Sequence, residues 1–276
     1  MQASDSFAAT DPILYISSPP QILTGIGYSV GLVRDHNEDA LFSLTSNLAV
    51  GDQQLAYGIF IIADGMGGHE RGELASSLAV RTTAHHIASS IHENILDFDP
   101  DGQKESVQEI MRAAVGAAQH TVLQNAIGGG TTLTVVVIIG DRVNIAHVGD
   151  SRVYFIYPDE RMDVVTKDHT FVNQLIRIGQ ITEEEARQHP ERNVLYRAIG
   201  QMEELEPDIG TYQYPQDGYI LICSDGLWGV VPEQKIVEIV RSTTNLTVAC
   251  GKMITVANEN GGPDNISVIL CKISSV

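Results

Sequence analysis

Apolar positions along the chain follow two rhythms, and the switches between them divide it into blocks of strand and helix. Strand-length apolar runs occur at residues 26–33 and 58–63, the second unbroken as in strands buried on both faces. The period then lengthens. Residues 73–92 carry Ala and Leu in a helical pattern, and Val107, Ile110, Met111, Ala114, Ala118 and Val122 recur at helical spacing. After Gly128-Gly129-Gly130, three runs at 131–139, 142–147 and 152–157 predict an antiparallel meander, with Gly140-Asp141 as a turn. Residues 168–200 interrupt the β pattern. Phe171, Leu175 and Ile178 space helically, and Thr182 with Glu185 forms a capping-box signature before a short acidic helix. A strand at 219–223, a helix begun by Pro232, a helix carrying Leu246, Ala249, Cys250, Met253, Ile254 and Ala257, and a last strand at 266–273 complete the pattern.

Blocks of strand and blocks of helix, without strict alternation, favour an α+β layered fold over a doubly wound parallel sheet. The length of 276 residues suits one large domain or two small ones. One domain over residues 21–276 suffices, because no repeat or low-complexity stretch divides it. Residues 1–20 are small and polar, end in Ser17-Ser18-Pro19-Pro20, and are expected to form a flexible N-terminal tail.

Charge changes this picture most. Thirty-five acidic residues against 17 basic ones give a net charge of −18, which argues against nucleic acid or an anionic membrane as partner. The three cysteines, Cys223, Cys250 and Cys271, lie in apolar runs as buried thiols of a reducing compartment would. No apolar run is long enough to span a bilayer. Residues 1–11 lack a basic region followed by an apolar one, so a cytoplasmic location is expected.

Several chemistries fail on missing residues. The only Gly-Lys, Gly251-Lys252, is followed by Met253 and not by the Ser or Thr of a phosphate loop. Neither His69-Glu70 nor His92-Glu93 has the second His of a zinc-protease helix, and Val30 stands where a dinucleotide fingerprint after Gly25-Ile26-Gly27 needs Gly. What remains is Asp placed just past apolar strands: Asp64-Gly65 after 59–63, and Asp225-Gly226 after 220–223. Asp150 in Gly149-Asp150-Ser151 and Asp264 in Pro263-Asp264-Asn265 are similarly set. Each alone also fits a plain turn. Jointly, hard oxygen donors at strand ends, with no Cys or His cluster, suit Mg²⁺ or Mn²⁺ better than Zn²⁺.

Six segments carry a resemblance. Arg34-Asp35-His36-Asn37-Glu38-Asp39, Asp64-Gly65-Met66-Gly67-Gly68-His69, Gly130-Thr131-Thr132, Gly149-Asp150-Ser151-Arg152, Ser224-Asp225-Gly226-Leu227-Trp228 and Asp264-Asn265-Ile266-Ser267 stand in order over residues 24–273. Together the set resembles that of metal-dependent protein phosphatases of the PPM or phosphatase 2C type, in the bacterial form. The resemblance implies two packed antiparallel β-sheets flanked by helices, an α-β-β-α sandwich with the metal site at one end. It also implies that residues 168–198 are the family's flap, a helical insertion beside the cleft.

By the same resemblance Asp64 bridges two ions, with the Gly65 carbonyl on one and Asp225 and Asp264 on the other. Glu38 and Asp39 reach the ions largely through water, Asp150 with Asp225 takes a third and weaker ion, and Arg34 binds phosphate. The implied cofactor is a pair of Mn²⁺ or Mg²⁺ ions. A water held between them attacks phosphorus in line as hydroxide, with no covalent enzyme intermediate. Eukaryotic members carry His directly after Asp-Gly, where this chain has Met66. His69, three residues on, is the candidate to protonate the leaving group, or else organises the Gly-rich turn. His147, inside a strand, reads as a core or partner-bonded His, and Trp228 as a core or cleft-wall residue. The expected activity is hydrolysis of phosphoserine and phosphothreonine in proteins that Ser/Thr kinases modify, by a monomer. A regulatory binding module of the same fold with weak turnover is the alternative.

Overall fold

The computed structural model describes residues 20–50, 53–68, 70–96, 105–201 and 203–274. Of the tail expected over 1–20, only Pro20 falls among them. The chain enters through β1 (Gln21–Ser29), β2 (Asp39–Val50) and β3 (Gln53–Met66), then forms α1 (Glu70–Leu96) and α2 (Val107–Asn125). It continues as β4 (Gly130–Thr131), β5 (Leu133–Ile139), β6 (Arg142–Val148), β7 (Arg152–Ile156) and β8 (Met162–Val164). Helices α3 (Phe171–Arg177) and α4 (Glu183–Arg187) precede β9 (Asp208–Gln213) and β10 (Tyr219–Cys223). Then α5 (Asp225–Trp228), α6 (Glu233–Ser242) and α7 (Leu246–Glu259) lead to β11 (Ile266–Ser274). The Thr182–Glu185 capping box forms at the start of α4 as its spacing predicts.

Two antiparallel sheets result, one in the order β1-β11-β10-β7-β8, the other β2-β3-β5-β6-β9 with β4 against the end of β3. Alternate residues of one strand serve different cores, which explains the unbroken apolar runs. In β3, Ile59, Ile61 and Ala63 pack under α1 and α2, while Phe60 and Ile62 face the opposite sheet. In β10, Leu221 and Cys223 pack under α5, α6 and α7, while Ile220 and Ile222 point between the sheets. Three stacked cores thus make four layers, an α-β-β-α sandwich. The three cysteines are buried free thiols, and among the described residues no helix is long and apolar enough to cross a membrane.

Two expectations are corrected. The predicted meander ends after two strands, since β7 leaves β6 and pairs with β10 in the other sheet. Gly149 makes this exit at φ +108, with Thr132 where a Cβ would sit, and β9 takes the free edge of β6. The first strand also spans 21–29 instead of 26–33. Gly31 at φ +82 turns the chain, and the Leu32 and Val33 amides donate to the Gly262 carbonyl instead of a sheet neighbour. The patterning left β2, β8, β9 and α5 unassigned.

The chain passes between the sheets four times among the described strands, after β1, β6, β8 and β9. The first three passages lie at the same edge of the sandwich. There β3 and β10 end, β2, β7 and β11 begin, and Asp39 stands directly opposite Asp64.

His147 ties this edge to the segment after β8: its Nε2 donates to the Lys167 carbonyl at 3.1 Å and its Nδ1 lies 2.9 Å from the Thr134 hydroxyl. Burial, reinforced by neighbouring His169, pushes its pKa down to about 3. The unfolded chain protonates this side chain near pH ~6.5 while the folded one does not, so its stabilising effect is full above that pH and lost as pH falls. Measured by urea unfolding from pH 7 to 5, the stability of wild type is therefore expected to fall relative to that of His147→Gln, by at most about 1.4 kcal/mol per pH unit, whatever the buried carboxylates add to both proteins.

Candidate metal centre

Five separate segments deliver carboxylates to the shared edge. Asp39 opens β2, Asp64 lies two residues before the end of β3, and Asp150 sits in the passage from β6 to β7. Asp225 opens α5 directly after β10, and Asp264 precedes β11 by two residues. Asp64 and Asp150 are held by their backbones. The Asp64 carbonyl accepts from the Thr131 hydroxyl at 2.8 Å and the Thr132 amide at 2.9 Å, while its amide donates to the Thr132 hydroxyl at 2.8 Å. The Asp150 carbonyl accepts from the Trp228 indole at 3.0 Å. Trp228 in turn carries the Arg152 guanidinium 3.6 Å from its ring centre, and Arg152 grips Asp168 through two bonds of 2.7 and 3.0 Å.

The electrostatics of the cluster are those of crowded like charge. Burial and then the charges of Asp39, Asp225, Asp150 and Asp264 hold the Asp64 carboxyl well above the usual range. Burial with Asp225 and Asp264 pushes Asp39 up to about 7, even though Ser224 donates to its Oδ2 at 3.0 Å. Asp225 rises to about 6, through burial and Asp264. Burial and Asp225 raise Asp150 as well. Among the described residues, Oδ1 of Asp39 and Oδ1 of Asp225 are shut off from solvent without a hydrogen-bond partner. Buried acceptors of this kind are costly unless a cation or donor meets them. Among the described residues, no three Asp, Glu, His or Cys side chains as placed close around a common point. Asp264, for example, is turned to Arg34 at 2.8 Å.

Oxygen donors, two of them orphaned, in a patch with no competing thiolate fit Mg²⁺ or Mn²⁺. Asp39, Asp64, Asp150, Asp225, Asp264 and the Gly65 carbonyl are the groups able to hold such ions. Gly65 is required here, since a Cβ would fall 2.3 Å from the Gly72 carbonyl and 2.5 Å from that of Glu38. Glu38 is buried beside them, its side chain crossing Gly72 of α1 so closely that a Cβ there would meet Oε2 at 2.0 Å.

Arg34 is half exposed at the rim, one nitrogen on Asp264, and that ion pair raises its pKa further. A guanidinium has five donors, so others remain for an incoming anion. His69 lies outside the described residues.

The structure adds positioning residues to which the sequence assigned no role. Asn265 donates to the carbonyls of Val30 at 2.9 Å and His36 at 3.0 Å and accepts from the Glu38 amide at 2.8 Å, so one side chain fixes the loop that bears both Arg34 and Glu38. Ser76 donates to the Glu38 carbonyl at 2.6 Å. Asn265 and Ser224 each adjoin a motif Asp, which was the available signal; Gly72 and Ser76 gave none, being small residues on a helix.

Comparison with known proteins agrees with this geometry. A family model for protein phosphatase 2C matches residues 27–257. The serine/threonine phosphatase stp of Listeria innocua is 37% identical over 248 residues, covering 87% of this chain and 91% of that protein. The crystal structure of the Mycobacterium tuberculosis serine/threonine phosphatase PstP/Ppp superposes with a TM-score of 0.76 at 32% identity, covering 92% of this chain and 100% of that one. A structure of the PstP catalytic domain in complex with two manganese ions gives 0.73 at 30% identity, covering 93% and 100%. With its carboxylate cluster at the common edge of two sheets, the chain belongs to the protein phosphatase 2C family.

Proposed function

We propose that this chain is a serine/threonine protein phosphatase that holds two divalent ions, Mn²⁺ or Mg²⁺, and removes phosphate from phosphoserine and phosphothreonine of kinase-modified proteins. The observation that carries the reading is the pair of orphaned oxygens on Asp39 and Asp225, set in a cluster of mutually repelling carboxylates. The manganese-bound relative supports it.

In this reading Asp64, the Gly65 carbonyl, Asp225 and Asp264 would hold the two ions. Glu38 and Asp39 would reach them through water, and Asp150 with Asp225 would hold a weaker third ion. When bound, such ions supply Lewis acidity and bring the pKa of water near neutrality. Arg34 binds two phosphoryl oxygens and orients phosphorus for in-line attack, and its positive charge offsets charge growing on those oxygens. Asp264 keeps the guanidinium aimed at the cleft, and Asn265 keeps the loop in place. His69 donates the proton to the departing alkoxide. Residues 168–198, bonded to the site edge through Asp168, His169 and Gly149, serve as the flap against which substrate lies.

Hydrolysis of p-nitrophenyl phosphate and of a phosphothreonine peptide is expected with Mn²⁺ and absent with chelator. Asp64→Asn should abolish both, and should weaken Mn²⁺ binding in calorimetry; chelator-resistant turnover contradicts the reading. Arg34→Ala should reduce kcat/KM for both substrates about 10- to 100-fold while leaving Mn²⁺ affinity within about threefold, because it removes a charge-assisted phosphate contact. His69→Ala should slow the peptide, whose alkoxide needs a proton, far more than p-nitrophenyl phosphate, whose leaving group does not. Equal losses on the two substrates would take His69 off the list.

A further inference from the structure

The turn between β1 and the phosphate-binding arginine carries an apolar pair with no partner in the core. Leu32 is 67% exposed and Val33 70% exposed, immediately before Arg34. Scattered surface leucines need no explanation, but this pair is held out by a rigid frame. The Leu32 and Val33 amides both donate to the Gly262 carbonyl, at 2.8 and 3.2 Å. Gly31 turns the chain at φ +82 in a place where a Cβ would lie 2.3 Å from the Asp264 carbonyl. Asn265 clamps the turn on both sides, through the carbonyls of Val30 and His36. The loop therefore runs alongside residues 262–264, with Leu32 against Gly262 and the Arg34 guanidinium on Asp264.

We propose that Leu32 and Val33 are specificity-determining residues that receive an apolar side chain flanking the phosphorylated Ser or Thr of the substrate. The inference rests on the phosphatase reading above and deepens it. A phosphate on Arg34 brings its peptide backbone to the rim of the cleft, and an extended peptide advances about 3.3 Å per residue. The first or second neighbour of the phosphoresidue is then within reach of side chains one and two positions from Arg34. Burying apolar surface there is favourable, and the loop is already ordered, so little conformational entropy opposes it.

The experiment compares phosphothreonine peptides bearing Leu or Glu at the positions one and two residues to either side, on wild type and on a Leu32→Ser, Val33→Ser double variant, with p-nitrophenyl phosphate as a substrate lacking flanks. Wild type is expected to favour Leu at one flank by about tenfold in kcat/KM, a preference the double variant loses while p-nitrophenyl phosphate turnover stays within about twofold. An unchanged Leu-to-Glu ratio in the double variant overturns the proposal. So does light scattering that shows a wild-type dimer reverting to monomer in the variant, which would assign the pair to a second copy of the chain. Loss of p-nitrophenyl phosphate turnover in the wild type itself would remove the underlying phosphatase reading instead.

Discussion

Carboxylates that repel one another across a partly desolvated cleft are the constraint on which this molecule turns. Asp39, Asp150, Asp225 and Asp264 each raise the proton affinity of a neighbouring carboxylate. The surrounding structure holds them together nonetheless. Thr131 and Thr132 fix the backbone of Asp64, Trp228 fixes that of Asp150, and Ser224 bonds Asp39. Such an assembly is unfavourable alone and becomes favourable when positive charge enters, so cation affinity and local stability are one quantity seen from two sides.

Much of this was legible in the sequence because the strands are buried on both faces. Unbroken runs such as 58–63 stand out, and an Asp directly after one is placed at a sheet end by the run itself. Elements with one exposed face were harder to read. β2 mixes Ala40, Phe42 and Leu44, which pack under the helices, with polar residues, and it escaped notice. The failed meander is informative: close spacing of β6 and β7 resembles a hairpin, and only Gly149 at positive φ marks the change of sheet. Nothing local could announce that β9, some sixty residues later, would occupy the edge of β6.

Within the site, the clustered carboxylates were readable from motifs and the residues that orient their loops were not. Asn265 acts on Val30, His36 and Glu38, partners more than 220 positions away, so its role exists only in three dimensions. Gly72 is similar, a helical residue that looks ordinary until Glu38 is seen passing over it. Side chains that bond to water or metal leave a compositional trace, whereas those that bond to distant backbone leave little.

Three of the four passages between sheets among the described strands run over the carboxylate-bearing edge, carrying Arg34 and Glu38, then Asp150, then Asp168 and His169. The chemistry therefore straddles a seam. The candidate cation ligands are anchored to both slabs, Asp39 and Asp64 to one and Asp225 and Asp264 to the other, and the interdigitated middle layer, with Phe60, Ile62, Ile220 and Ile222, keeps those slabs in lateral alignment. A slip of one slab past the other would misalign the reacting groups while every helix and strand stayed intact, so the greasy interior far from the cleft sets the mechanical tolerance of the chemistry.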